Sequence, residues 1–474
     1  MAGVPADRED PRTWGTVILS MQTINREHPE YIARKAMWKH YKDLYAGGEQ
    51  LRERASEYLV RRHKEPNEVY MERLSRVFYQ NYAGAIIDWY AATLIHREPA
   101  FMMDGSDAAA KQFFSSLANN CDLKGTSLSE FFRQRFVDAL VQGSSYVVVD
   151  FPRGNGPVIS RAEEDAAGVS RAYLMNYDAD EVINWNYDET GGLEWVVIRT
   201  SCLQQSKVTD AKWEKETRWI YYDRETFQIY RKGGEDRGIE LVDEGSHGLA
   251  SLHRVPVFQL KVLEGLWLMN KAALLQLEHF NKSNALSWAL TMGLFASPVI
   301  YSDKEWNQIV GESYYIQLGS QDRFGWTEPE GKVYQLAANN LASLKDEIYR
   351  VCYLMNQAGS SSARQSGLSK QLDFGTTEEV LRAYGTAVKE AMKQVLWAIA
   401  AARQDGLTID VAGMDEFDID EFGTELDDAK KLLDLGIGSP TLKKQVFKRL
   451  ALKYLCDARQ EVKNQVVAEI EGAE

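Results

Sequence analysis

The sequence predicts an α+β fold, on three observations. Residues 12 to about 145 place apolar side chains at three- and four-residue spacing. Residues 144–261 break into short β-branched and aromatic runs between turn signals. From residue 264 the helical spacing returns, so a helical layer and a sheet layer share one N-terminal body and long helices follow it. At 474 residues the chain has ample material for a core and for more than one domain.

The first helix is read from Tyr31 onward, with Trp38, Tyr41 and Tyr45 at helical spacing, and Ala46-Gly-Gly-Glu49 breaks it. The pattern resumes from Tyr70 to Ile95 and ends at His96-Arg-Glu-Pro99, where the proline stops a helix. Ser127-Leu-Ser-Glu130 has capping-box spacing and opens a helix that runs to Gln142, with Gly143 as its stop. Ser145-Tyr-Val-Val-Val-Asp150 then reads as a buried strand, and Pro152 to Ala167 as a loop. The runs Ala172–Tyr177, Val182–Asn186, Leu193–Arg199, Thr217–Tyr222 and Phe227–Arg231 follow, punctuated by Gly191-Gly192 and Gly233-Gly234. Together they predict an antiparallel meander of about six strands, finishing at Val255-Pro-Val-Phe258.

The stretch Leu263–Ala358 reads as helix, small α/β insert, helix. A long apolar run from Gly265 to Phe295 precedes a strand-like Pro298-Val-Ile-Tyr301 and a segment rich in glycine and aromatics. A second amphipathic helix follows from Asn340 to about Gln357. Asn270, Lys271, Glu278, His279, Asn281, Lys282 and Asn284 interrupt the first run, which excludes a simple membrane span. Ser360 to Ser369 is small, polar and aperiodic, and predicts a loop. Thr376-Thr-Glu-Glu379 caps a helix from Val380 to about Gln404, and Leu407–Val411 is a strand expected to return to the sheet body. Residues 405–428 hold ten acidic residues and no basic one, which predicts a solvated acidic hinge. The C-terminal residues read as two or three short helices, one opened by Ser439-Pro440.

The net charge of -14 argues against a protein that grips nucleic acid with its whole surface, since duplex binding relies on Lys and Arg at phosphates. Twelve Trp and 23 Tyr suggest extensive packed surfaces, within a subunit or between subunits. Cys121, Cys202, Cys352 and Cys456 are too scattered for a zinc site or a disulfide framework, so a reducing compartment is expected. The polar, acidic opening Met1 to Asp10 does not read as a signal peptide.

Catalytic motifs are absent. The sequence has no G-x-x-x-x-G-K-[ST], G-x-S-x-G, H-E-x-x-H or EF-hand pattern, and the seven histidines never pair at i,i+4. No metal or cofactor is expected. His279, within the long apolar helix, reads as a packed helix histidine. Glu378-Glu379 reads as charge favourable to a helix N-terminus, and Cys352, beside Leu344, Ile348, Val351 and Met355, as a small core hydrophobe.

The order of elements, with local wording, resembles the portal proteins of tailed double-stranded-DNA bacteriophages, of the siphophage type with its prophage relatives. The residues that carry this are Tyr45-Ala-Gly-Gly-Glu-Gln-Leu51, Leu94-Ile-His-Arg-Glu-Pro99, Asp122-Leu-Lys-Gly-Thr-Ser-Leu128 and Gly143-Ser-Ser-Tyr-Val-Val-Val-Asp150. Further along are Arg254-Val-Pro-Val-Phe258, Ala296-Ser-Pro-Val-Ile300 and Ser366-Gly-Leu-Ser-Lys370. The resemblance spans nearly the whole chain.

It implies a portal fold: wing 1–263, first stem helix 264–293, clip 294–338, second stem helix 339–357, tunnel loop 358–375, long wing helix and returning strand 376–423, and a short helical crown 424–474. It also implies a closed homo-oligomeric ring, typically of about twelve subunits, around a channel. Such a ring sits at the capsid vertex of the virion, is assembled in the host bacterial cytoplasm, and is not an enzyme. Its implied partners are the terminase large subunit, a head-completion or adaptor protein, the major capsid and scaffolding proteins, and double-stranded DNA passing without sequence specificity; no membrane is implied. Ser360, Ser361, Arg364, Gln365, Ser369 and Lys370 are then expected on the tunnel loop at the narrowest part of the channel. Trp306, Tyr314, Phe324 and Trp326 are expected as clip contacts for a partner. The competing readings are another head or tail structural protein, such as a minor capsid or adaptor protein, and a cytoplasmic α+β enzyme built around Asp88 and His96.

Overall fold

The computed structural model describes residues 19–96, 98–152, 171–205, 213–233, 238–293, 297–302, 321–327, 331–354, 367–415, 417, 422–434, 439–455, 458 and 460–472. The fold is α+β, as the sequence predicts, with 55% of the described residues helical and 21% in strands.

The N-terminal layer holds α1 (Pro29–Ala46), α2 (Asn67–Ser75), α3 (Tyr82–Leu94), α4 (Ala108–Asn119) and α5 (Leu128–Gln142). Its ends follow the sequence signals. Gly47 and Gly48 both take positive φ after α1, and the Ser127 hydroxyl accepts from the Glu130 amide to cap α5. Gly143 ends α5 in the left-handed region at φ 88°, with the Trp267 ring 3.1 Å from the place a Cβ would occupy, so a side chain is excluded on both counts.

The expected single meander is two antiparallel sheets. One has three strands in the order β3-β2-β9, from β2 (Ser144–Asp150), β3 (Tyr173–Asp178) and β9 (Val257–Lys261). The other has five in sequence order: β4 (Val182–Tyr187), β5 (Leu193–Gln204), β6 (Glu214–Tyr222), β7 (Thr226–Gly233) and β8 (Glu240–Ser246). A tight turn at Ala179–Glu181 takes the chain from the first sheet to the second. Val148, Tyr177 and Val257 pack across the gap onto Val182, Val196, Ile198, Ile220 and Phe227. Residues 153–167 of the expected loop lie outside the described residues.

The expected strand near Leu407–Val411 forms, as β12 (Thr408–Ala412), but it does not join the sheet body. It pairs antiparallel with β1 (Ala100–Asp104), a strand the sequence reading left out, in a separate two-stranded ribbon. Beyond it, α9 (Phe422–Asp434), α10 (Pro440–Tyr454) and α11 (Gln460–Gly472) complete the chain. The last helix lies against β1 and α4, where the Asn464 amide reaches the Ser115 hydroxyl at 3.3 Å. The C-terminal helices are thereby attached to the N-terminal layer.

Three long helices lie between: α6 (Leu268–Gly293), α7 (Gly331–Val351) and α8 (Gly367–Arg403). Two of them begin earlier than expected. α7 starts at Gly331 because Tyr334, Ala337, Leu341, Leu344 and Ile348 continue one helical stripe back through the glycine-rich segment. α8 starts at Gly367, nine residues before the expected cap. The Thr377 hydroxyl donates to the Tyr353 carbonyl at 2.6 Å instead of capping a helix start, and the backbone runs helically through Thr376-Thr-Glu-Glu379.

The core centres on rings from distant parts of the chain. Tyr384 of α8 meets Tyr90 of α3 and Phe136 of α5 edge-on, at centroid distances of 5.5 and 5.1 Å. The Tyr90 hydroxyl donates to the Cys352 carbonyl at 2.8 Å, and the buried thiol of Cys352, pushed up to about 12 by desolvation, behaves as the small hydrophobe expected.

At the turn between the sheets, the Lys42 ammonium holds Asp178 at 2.8 Å and Asp180 at 2.7 Å. Burial raises the neighbouring Glu181 carboxyl to about 7, although the Asp178 amide donates to it. An acid raised on folding binds its proton more tightly in the folded chain, so its stabilising effect is full below the ordinary value of 4.5 and is lost as pH rises through about 7. Glu181→Gln is therefore expected to flatten the decline in urea midpoint between acid and mildly alkaline pH; an unchanged profile would assign that decline elsewhere.

Candidate functional site: a helical hairpin and its base

α6 and α7 form an antiparallel hairpin. Lys271 donates to the Tyr353 hydroxyl at 2.6 Å, Lys282 to the Asn340 side-chain Oδ1 at 2.9 Å, and the Tyr334 hydroxyl to the Ala289 backbone carbonyl at 3.4 Å. As one residue number rises its partner's falls to match, which only antiparallel helices produce. The chain between them carries a two-stranded ribbon of β10 (Ser297–Tyr301) and β11 (Arg323–Thr327). This is the helix, insert, helix arrangement read from the sequence.

The base of the hairpin is deeply held. Leu268, Met269, Ala272, Ala273, Gln276, His279 and Phe280 are all buried, at spacings that keep one broad face of α6 inward. Trp267 donates its indole N–H to the Val141 carbonyl at 3.0 Å, joining the base to the end of α5. Three side-chain amides then clamp irregular backbone. Gln276 donates to the Gln80 carbonyl at 2.7 Å and accepts from the Ala83 amide at 3.2 Å. Asn281 donates to the Tyr58 carbonyl at 3.0 Å and accepts from the Val60 amide at 2.8 Å. Asn284 donates to the Phe78 carbonyl at 2.9 Å and accepts from the Phe78 amide at 3.1 Å. Each amide answers a carbonyl and an N–H that no strand or helix pairs.

The far end is different in character. No α6 residue after Asn284 is fully buried among the described side chains. Leu290 is 41% exposed, Val333 65% and Leu336 71%, and Tyr301 on the ribbon is 67% exposed. Leu274, on the outer face of α6, is 79% exposed beside the surface pair Glu278–Lys282. Large apolar groups left in water on two packed helices mark a surface suited to further packing.

His279 sits where the hairpin meets α3, with its ring 5.1 Å from that of Tyr82 at right angles. It is 2% exposed and its Nδ1 has no hydrogen-bond partner. This is the packed helix histidine expected, and burial holds its pKa below the ordinary 6.5.

Of the expected channel residues, Ser360, Ser361, Arg364 and Gln365 lie outside the described residues. Ser369 and Lys370 lie in the first turns of α8, not in a loop. Of the expected clip contacts, Trp306 and Tyr314 lie outside the described residues, while Phe324 and Trp326 lie on β11, in register with Ile300 and Pro298. His96 lines a cleft of about 650 Å³ bounded by the β1–β12 ribbon, Arg382 of α8 and Lys448 of α10, and Asp88 is not among its lining residues. Asp88 instead accepts from the Tyr45 hydroxyl at 2.8 Å. The clamp amides went unread as such, although amides at Gln276, Asn281 and Asn284 in an apolar helix are the signal that identifies them.

No family model matches the sequence, and no curated protein matches it. Among solved structures, a chain of "Neck of empty GTA particle computed with C6 symmetry" is 14% identical, with a TM-score of 0.44 over 76% of this chain and 87% of that one. A chain of "Virion of native gene transfer agent (GTA) particle" is 13% identical, with a TM-score of 0.37 over 81% and 93%. A chain of "Neck of native GTA particle computed with C12 symmetry" is 14% identical, with a TM-score of 0.37 over 76% and 87%. Likenesses of this size do not by themselves assign a fold or a role.

Two outcomes test the base. Asn281→Ala removes a donor and an acceptor from part-exposed backbone, and is expected to cost about 0.5–1.5 kcal/mol in urea unfolding with the slope unchanged. For His279, whose folded pKa is depressed, stability is full above 6.5 and lost as pH falls through the folded value. His279→Leu should therefore remove part of the acid-side loss of melting temperature and leave neutral pH little changed.

Proposed function

We propose that this chain is the portal subunit of a tailed double-stranded-DNA phage or prophage particle: a non-enzymatic ring channel for genome packaging, head–tail connection and ejection. The observation that carries the reading is the antiparallel hairpin with its ribbon, buried at the base, apolar and exposed at the far end, and followed by the long helix α8. A monomer gains nothing from Leu274, Leu290, Val333 and Leu336 in water, whereas a head-to-tail ring buries such groups against the neighbouring copy. The element order in the sequence supports the same reading. So does the net charge of -14, because a channel that lets DNA slide must not hold each phosphate. On this reading terminase, an adaptor, and capsid and scaffolding proteins are the partners, and the strands at the ribbon are where a terminase or adaptor docks.

Negative-stain images and native mass measurement of the purified chain test the proposal: a closed ring with a central hole is the expected result. Val333→Glu with Leu336→Glu should leave the helical circular dichroism intact and shift the population from ring to free subunit. A wild-type chain that stays monomeric at high concentration and is absent from particles would overturn the reading.

A further inference from the structure

A second surface concerns charge. The loop between Tyr58 and α2 reads Leu59-Val-Arg-Arg-His-Lys64, and Arg61, Arg62, His63 and Lys64 are all exposed. The other cations near it are spent locally. Arg54 pairs with Asp43 and Glu57, Arg76 with Glu72, and Arg73 forms a buried pair with Glu65 at 2.8 Å. By contrast, the side chains of Arg62, His63 and Lys64 form no salt bridge among the described residues, and Glu68 on α2 is exposed nearby.

The loop is held rigid from beneath. Glu65 accepts from the Arg62 amide at 3.0 Å while its carboxylate is locked by Arg73, so the acid that could have neutralised the loop is committed to its backbone and to a buried guanidinium. The Arg61 guanidinium donates to the Glu65 carbonyl at 2.8 Å and lies over the Tyr70 ring. Lys64 sits in the left-handed region at φ 62°, where the loop turns into α2. Asn281 pins the loop's start to α6. The backbone's share of the ordering cost is therefore met before any ligand arrives.

We propose that Arg61–Lys64 is a docking point for the sugar–phosphate backbone of double-stranded nucleic acid, read without regard to sequence. Exposed basic side chains free of carboxylates, on a backbone that is already held, are what phosphate contacts use. A protein partner would need apolar or aromatic anchors at the centre of its footprint, and within the loop only Val60 is a large exposed apolar side chain. The contact stands apart from the ring reading, since it needs neither a channel nor a second copy. It is also local: on a chain of net charge -14 the remaining surface repels the same polyanion, so the duplex is held at one spot and weakly.

Fluorescence anisotropy of a labelled random-sequence duplex, titrated with the purified full chain at several salt concentrations, tests this. Arg62→Gln with Lys64→Gln removes two unpaired cations and touches no hydrogen bond of their side chains. The variant is expected to keep its circular dichroism, weaken binding at low salt, and reduce the slope of log affinity against log salt by about 2. Lys215→Gln with Lys232→Gln, on the five-stranded sheet, should leave that slope within error of wild type. The proposal is overturned if wild type fails to bind at low salt, if the loop variant and wild type share one slope, or if polyglutamate competes as well as unlabelled duplex at equal charge.

Discussion

The structure depends on three side-chain amides of α6. The backbone at Tyr58–Val60 and at Phe78–Ala83 belongs neither to a sheet nor to the body of a helix, yet it is carried next to a buried face. Its carbonyls and N–H groups need partners there, and a helix surface ordinarily offers none because its own backbone is fully used. Gln276, Asn281 and Asn284 each present one donor and one acceptor on a short stem, which is the hydrogen-bonding face of a peptide unit placed on a side chain. α6 thereby pairs with irregular chain as an edge strand would, while its own apolar residues fill the core.

Much else is positioned from this clamp. It fixes the ends of α2, so the buried Arg73–Glu65 pair and the basic loop keep their places. It holds α3 against α6, and α3 brings Tyr90 to Tyr384 and to the Cys352 carbonyl at the end of α7. The base of the hairpin is thus tied at both legs, to α5 through Trp267 and to α3 through Tyr90. A hairpin fixed this firmly at one end can present its other end, and the ribbon beyond, at a set angle. That rigidity makes the exposed apolar far end a usable packing surface rather than a flexible arm.

What the sequence made legible was local, and what it hid was pairing. Ser127, Gly143, Gly47 and Gly48 announced helix ends because caps and left-handed positions demand those residues. Periodicity exposed α6 and most strands. It could not tell one meander from two sheets, since the Ala179–Glu181 turn that divides them looks like any hairpin turn. Nor could it tell that β12 pairs with β1, more than three hundred residues away, because alternation specifies a strand and not its partner. Thr376-Thr-Glu-Glu379 misled for a related reason: a threonine hydroxyl satisfied by a distant carbonyl has the same sequence signature as a cap. The clamp amides were visible only as polar interruptions of an apolar helix. Their meaning lay in segments two hundred residues upstream.

The charge distribution follows the same logic of local satisfaction. Many arginines are neutralised within a turn of helix, as in Arg133–Glu130, Arg350–Glu347 and Arg382–Glu378, so their fields cancel over distances shorter than the roughly 8 Å screening length at physiological salt. Residues 405–428 hold ten acids and no base of their own, yet the expected solvated acidic hinge is partly answered from α8, where Arg403 pairs with Asp405, Lys393 with Asp410 and Lys389 with Asp415. A polyanion approaching a chain of net charge -14 therefore meets many neutralised pairs and a net repulsion. Arg61–Lys64 differs from both: Glu65 beneath it is buried on Arg73, and the exposed Glu68 nearby forms no salt bridge with its cations among the described residues. On the proposed portal reading, a weak contact of that kind on a mostly repelling surface suits a subunit that meets DNA without retaining it, since affinity confined to a few phosphates is lost as soon as the duplex moves on.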